Sequence, residues 1–222
     1  SQQGQNWSQP PWSPRSLAES GYLPLRDMVR AALCNSGAVR IDHILGMFRL
    51  WWIPDGRAAT EGTYVYYDHE AMLGVILLEA QRAGAVVIGE DLGVVEPWVR
   101  DYLRERGVLG TSVVWFEKEG GGWPLRPEHY RDRALAAVNI HDLPPTLGYI
   151  RGIQTTLRSE LGLLTDDIET VRAGDRLELE QVAVRLHEYG CIDGAEPSER
   201  ETVEALYRYV AKTPSKLVVA SL

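Results

Sequence analysis

Short apolar runs alternate with longer amphipathic stretches along this chain, a pattern that predicts strands separated by helices. Residues 38–43 (Ala-Val-Arg-Ile-Asp-His) read as a short buried strand ending in charge. Strand side chains alternate between faces, so Arg40 and Asp42 share one face while Val39 and Ile41 share the other. Residues 85–89 are a continuous apolar run, as expected of a parallel strand covered on both faces, and Glu90 and Asp91 follow at once. Residues 111–117, 134–140 and 216–222 supply three further strands, the second of them leading into His141 and Asp142.

Helices fill the intervals. Leu25, Met28, Val29, Ala32 and Leu33 have helical spacing over residues 25–35, with Gly37 as a terminator. Residues 71–82 read as a helix closed by Gly84, and residues 96–106 as one with Pro97 in its first turn and Gly107 at its end. From residue 157 to 189 the chain turns helical and highly charged, and Ser198–Glu201 matches a capping box opening a helix to about residue 210. Residues 1–24, rich in Gln, Ser, Pro and Gly, read as an irregular loop carrying Trp7, Trp12 and Tyr22. Residues 50–67 read as a long aromatic loop and residues 119–130 as a glycine-rich one.

Repeated strand–helix units indicate a parallel α/β sheet or barrel. Acidic residues stand at three C-terminal strand ends, as Asp42, Glu90 and Asp142, and in a (β/α)8 barrel that is the face where active sites form. An open doubly wound sheet is the alternative, but it would normally carry an early glycine-rich phosphate loop, and the chain has no such sequence.

Composition narrows the function classes. With 222 residues, 45% of them hydrophobic, the chain can bury a sizeable core in one or two domains. A net charge of -8 with no basic run argues against a nucleic-acid partner. Cys34 and Cys191 lie far apart without metal-type spacing, which fits reduced thiols and a cytoplasmic protein. No apolar run approaches a membrane span, and the first residues lack a basic-then-apolar signal, so no membrane association is expected.

Three carboxylates with Arg40, His43 and His141 suit either cleavage of a sugar acetal or metal-assisted hydrolysis. Each His is followed or preceded by an Asp, and strand neighbours face opposite ways; no HxH or HExxH occurs, so no metal is expected. Retaining glycoside chemistry needs one ionised carboxylate as nucleophile and a protonated one as acid, then base. Asp42 beside Arg40 fits the first and Glu90, after its apolar run, the second. A purely structural Arg40–Asp42 ion pair is the competing reading.

The segments Arg40-Ile-Asp-His43, Gly89-Glu-Asp-Leu-Gly93 and His141-Asp-Leu-Pro-Pro145, in that order, resemble the signature motifs of the 4-alpha-glucanotransferases (amylomaltases, glycoside hydrolase family 77). Gly4-Gln-Asn-Trp7 and Leu50-Trp-Trp-Ile-Pro54 are similar to further family segments. One departure is Ile140, where the family often has Thr, a change of local packing. The resemblance implies a TIM-type (β/α)8 barrel of which this chain supplies about five βα units, strands 4 to 8. Residues 1–24 would be an active-site loop segment, and residues 25–222 a partial barrel with a helical, charged segment at about 155–210. It further implies Asp42 as nucleophile, Glu90 as general acid/base and Asp142 as the carboxylate holding sugar hydroxyls in the transition state. Arg40, His43, Asp91 and His141 would line the glucose subsite at the cleaved bond, and Trp7 would be a stacking platform. The implied activity is transfer of α-1,4-glucan segments between maltooligosaccharides or starch- or glycogen-derived glucans, without cofactor. A second chain or a separately cleaved N-terminal piece would complete the barrel. The alternatives are an α-glucan hydrolase of the α-amylase type, or an inert fragment of the enzyme.

Overall fold

Leu25, Val29 and Leu33 recur once per helical turn and form the buried face of a helix over Leu23–Leu33, two residues earlier at each end than its apolar spacing suggests. A shorter helix, α1 (Pro14–Glu19), precedes this α2, so residues 1–24 are not wholly irregular. Ser13 starts α1: its side chain accepts the Ser16 N–H, and Pro14 fits the first turn because its missing donor would go unused there. Helix α3 (His69–Ala83) is capped by the Asp68 side chain, which accepts the Ala71 N–H at 3.0 Å, and ends at Gly84 in the left-handed region, φ 64°. Leu73, Ile76 and Ala80 face α2, and each fully buried Leu or Ile contributes about 1.5–3 kcal/mol. Glu79 is only 5% exposed on the same face. Arg30 reaches its Oε2 at 2.5 Å and Arg82 its Oε1 at 2.8 Å, which offsets the desolvation that would otherwise expel the carboxylate.

The structure, a computed structural model, describes residues 5–194 and 197–221. Gly4 and Leu222, named above, lie outside them. Residues up to Gly110 form one compact unit and residues from Thr111 a second.

In the first unit, β1 (Ala38–Ile41) pairs in parallel with β4 (Val86–Gly89), in register from Ala38↔Val86 to Ile41↔Gly89. Ile88 also bridges Leu109 in parallel. Helix α4 (Pro97–Glu105) follows β4 and buries Val99 and Leu103. The aromatic stretch read as one loop is instead largely an antiparallel hairpin of β2 (Arg49–Trp52) and β3 (Thr63–Tyr66), with Leu50 opposite Val65 and Trp51 opposite Tyr64. Gly62 is the tight point, because a Cβ there would meet the Trp51 indole.

The second unit holds β5 (Gly110–Val113) from its second residue on, β6 (Ala134–Ala137) and β7 (Leu217–Val219), ordered β5-β6-β7, with β6 and β7 parallel. These strands are shorter than the sequence suggests. Val114–Phe116 turns back, with the Phe116 N–H on the Val113 carbonyl at 2.9 Å, and beyond β6 the Asn139 side chain holds the Pro144 carbonyl at 2.8 Å. The small buried Ala134 and Ala136 admit the buried face of α8 (Glu199–Val210), which presents Leu206, Tyr209 and Val210. After a short α5 (Thr146–Ile150), the charged helical region divides into α6 (Ile153–Glu160) and α7 (Ile168–Glu188).

The capping box of α8 is formed in both directions: Ser198 Oγ accepts the Glu201 N–H at 3.3 Å, and Glu201 Oε2 accepts the Ser198 N–H at 2.8 Å. Ser198→Ala should therefore cost about 1 kcal/mol of stability, read as a lower urea midpoint at unchanged slope. An unchanged midpoint would show that the cap adds nothing. Among the described residues no helix is long and apolar enough to cross a membrane.

Candidate active site

The register of β1 on β4 places Asp42 and Glu90 each one residue beyond the last pair, Ile41↔Gly89. The chain then locks around Glu90. Its N–H donates to the Ile41 carbonyl at 2.9 Å, and its own carbonyl accepts the Ile44 N–H at 3.0 Å. His43 adopts left-handed backbone, φ 44° and ψ 58°, an uncommon conformation for a residue with a side chain. That turn aims the His43 N–H at Glu90 Oε2, 2.9 Å away, while the Leu92 N–H donates to Oε1 at 2.7 Å. The half-buried Glu90 carboxyl is thus anchored by backbone donors rather than surrounded by apolar groups, as its preceding run suggested.

Arg40 and Asp42 do share a face, and Arg40 Nη1 donates to Asp42 Oδ1 at 2.6 Å. The pair is not buried: the Asp42 side chain is 58% exposed and that of Arg40 29%. At that exposure an ion pair contributes about 0–1 kcal/mol, so stability alone is a weak reason for it. Arg40 Nη2 is buried with no hydrogen-bond partner among the described residues.

Asp42 and His43 line a cleft of about 230 Å³ together with Trp7, Met47, Tyr67 and Met72. The Trp7 ring meets the His43 imidazole edge-on, centroids 5.1 Å apart. On its other side Trp7 borders a groove of about 370 Å³ floored by Leu50, Trp51 and Trp52 of the hairpin. Tyr67 ties the N-terminal segment down, its hydroxyl donating to the Trp12 carbonyl at 2.8 Å. Met47, Tyr67 and Met72 did not stand out in the sequence as site residues. Met72 falls within the helix read over residues 71–82 and Tyr67 at the end of the aromatic stretch read as loop, and neither reading marks a site.

Burial lowers the His43 pKa, against the smaller opposing pull of Glu90 and Asp42. A lowered folded-state value means that the native chain binds fewer protons than the unfolded one. His43 therefore supports stability above its unfolded value near 6.5, and that support is lost as pH falls below it. NMR titration should find the imidazole neutral at pH 7, with its midpoint below 6.5; a midpoint above 6.5 would contradict this.

Asp91 lies elsewhere. It is 2% exposed, its carbonyl accepts from Arg100 Nη2 at 3.2 Å, and its Oδ2 is 3.7 Å from Arg100 Nε. It lines neither of these two clefts. In the second unit, His141 and Asp142 sit on an exposed turn after β6, and His141 Nε2 is 3.4 Å from Asp142 Oδ1. Turn geometry lets these neighbours meet, where a strand would have directed them apart. Among the described residues no three His, Cys, Asp or Glu are grouped to hold a metal ion.

The family model of 4-alpha-glucanotransferases, glycoside hydrolase family 77, matches residues 1–222. This chain belongs to that family. It is 55% identical over its whole length to a 4-alpha-glucanotransferase of Mycobacterium tuberculosis (strain H37Rv), covering 31% of that protein. It is 36% identical over 74% of its length to the one from Haemophilus influenzae, covering 24% of that protein. The crystal structure of the Corynebacterium glutamicum amylomaltase superposes with a TM-score of 0.91 at 44% identity, over 99% of this chain and 33% of that one. A Streptococcus agalactiae amylomaltase in complex with acarbose shares the fold, TM-score 0.66 at 18% identity, over 97% of this chain and 38% of that one. The matches thus span between about a quarter and two fifths of the length of these family members, and the mixed α/β fold is that of the part of the amylomaltase it overlays.

Proposed function

We propose that this chain carries the reacting carboxylates of a 4-alpha-glucanotransferase, which moves α-1,4-glucan segments from one maltooligosaccharide to another with retention. The observation that carries the reading is the placement of Asp42 and Glu90 at the ends of two paired parallel strands, in a chain the family model matches from end to end. Asp42 attacks the anomeric carbon. As that bond forms, the bond to the departing 4-oxygen breaks and Glu90 donates its proton to the leaving sugar. The 4-hydroxyl of an acceptor then gives its proton to Glu90 and displaces Asp42, which restores the α-linkage.

The remaining residues take supporting parts. Arg40 aims Asp42, its bond at 2.6 Å fixing one carboxylate oxygen. Trp7 and His43 border the sugar at the cleft, with the indole as stacking platform. The family resemblance gives Asp142 the holding of sugar hydroxyls as the transition state develops and His141 a place at the glucose subsite; the two side chains lie 3.4 Å apart on their turn. Asp91 is better read as a brace than as a sugar ligand, because its burial against Arg100 fixes the loop that follows Glu90. We further infer that β1, β4, β5, β6 and β7 are strands 4 to 8 of a (β/α)8 barrel, the others coming from a separate segment, and that the protein works in the cytoplasm, where the free thiols Cys34 and Cys191 stay reduced.

The test is the product pattern of the full-length protein on maltotriose. Transfer yields glucose together with longer chains, whereas a hydrolase yields only shorter ones. Exclusive shortening would overturn the transferase reading and leave that of an α-glucan hydrolase.

A further inference from the structure

We propose that Gly89 is a positioning residue for Glu90: its missing side chain leaves the space into which Ile44 packs, and that contact fixes the acid/base relative to Asp42. The inference rests on the reading of Glu90 as acid/base. Gly89 is not needed for backbone conformation, since its φ lies outside the positive range adopted by Gly84, Gly93 and Gly107. Space is what requires it. A Cβ at position 89 would lie 2.5 Å from Ile44 Cδ1, 3.0 Å from Cγ2 and 3.2 Å from Cβ. Ordinary carbon contacts fall near ~3.5–4.0 Å, so the nearest of these is about 1 Å too close. The Cδ1 atom could swing aside, but Cβ and Cγ2 are set by the backbone and by the stiff χ1 of a β-branched residue. Ile44 is itself fully buried, so the residue has no room to retreat.

The strain would fall on the catalytic groups. Residues 41–44 clasp Glu90 at three points: the Ile41 carbonyl on its N–H, the Ile44 N–H on its carbonyl and the His43 N–H on its Oε2. Two of those donors belong to Ile44 and its immediate neighbour. Pushing Ile44 outward therefore pulls on the Glu90 carbonyl and carboxyl together. The same turn begins at Asp42, so the spacing of the two carboxylates depends on how closely Ile44 seats on Gly89.

The test uses the full-length protein and two donors. Maltotriose needs a proton from Glu90 to release its leaving sugar, whereas maltosyl fluoride does not. Gly89→Ala should lower kcat on maltotriose by on the order of 10²-fold, the usual effect of a misplacement near 1 Å. Fluoride release in the first step should fall less than about tenfold, since that step bypasses the acid. Adding Ile44→Ala to Gly89→Ala reopens the space and should recover maltotriose turnover by roughly tenfold or more, by the same placement argument. Should Gly89→Ala fail to fold, the double variant carries the test: folded and active supports the proposal, folded and inactive overturns it. Equal loss on both donors, no loss at all, or no recovery in the double variant would each overturn it. Asp42→Asn separates the levels. If it retains transfer, the functional reading fails; if it is inactive while Gly89→Ala behaves as wild type, only the positioning role fails.

Discussion

Replacing Asp42 by Asn in the full-length protein should reduce maltotriose disproportionation by on the order of 10⁴-fold or more, the scale on which loss of a covalent nucleophile is felt. The amide has nearly the shape of the carboxylate, so the loss would come from chemistry rather than packing. The two carboxylates that follow β4 are otherwise engaged: Glu90 is tied by both oxygens to backbone N–H groups, and Asp91 is buried against Arg100. Asp42 is also exposed enough, at 58%, that the change should leave the thermal midpoint nearly unmoved. Chain-length analysis of the products checks this, and a folded Asp42→Asn enzyme that still disproportionates would remove Asp42 from the mechanism.

Glu90→Gln should be selective where Asp42→Asn is not. Without an acid, release of a sugar leaving group should slow by about 10²–10⁴-fold, the usual range for lost general acid–base catalysis. An activated fluoride donor needs no such help, so its first step should be largely spared. The glutamine can still accept the His43 N–H through its carbonyl oxygen, but its amide nitrogen cannot accept the Leu92 N–H at the other position. Some loosening of the loop is therefore expected, seen as a small fall in thermal midpoint. If both donors slowed equally, Glu90 would be a structural residue of the turn.

Much of this site could be read from the residues themselves because it depends on strand register. An apolar run ending in a carboxylate, repeated, is visible in sequence, and the pairing Ile41↔Gly89 then brings Asp42 and Glu90 to neighbouring strand ends. What could not be read depended on contacts set at a distance. The β2–β3 hairpin was hidden because Trp52 and Thr63 pair across a loop rich in Gly, Pro and charge, which gives no short turn signal. Helix α1 was hidden by composition, although Ser13-Pro14 is a recognisable start. Asp91 stands in a motif beside Glu90, and only α4, which carries Arg100, shows that it points into the protein. Glu90 itself was expected in an apolar setting because of the residues before it. The left-handed turn at His43, which brings a donor to its carboxyl, has no sequence signature.

A covalent bond between Asp42 and the transferred glucan, as proposed, is open to direct detection. In the Glu90→Gln variant of the full-length protein, maltosyl fluoride can load the nucleophile without an acid, but the loaded enzyme lacks the base that would activate an acceptor, so the intermediate should accumulate. Mass spectrometry of the quenched, digested protein should then find one added maltosyl unit, carried on the peptide containing Asp42 and absent when Asp42 is also replaced by Asn. A maltosyl unit on a different residue, or fluoride turnover with no adduct on any peptide, would contradict the account.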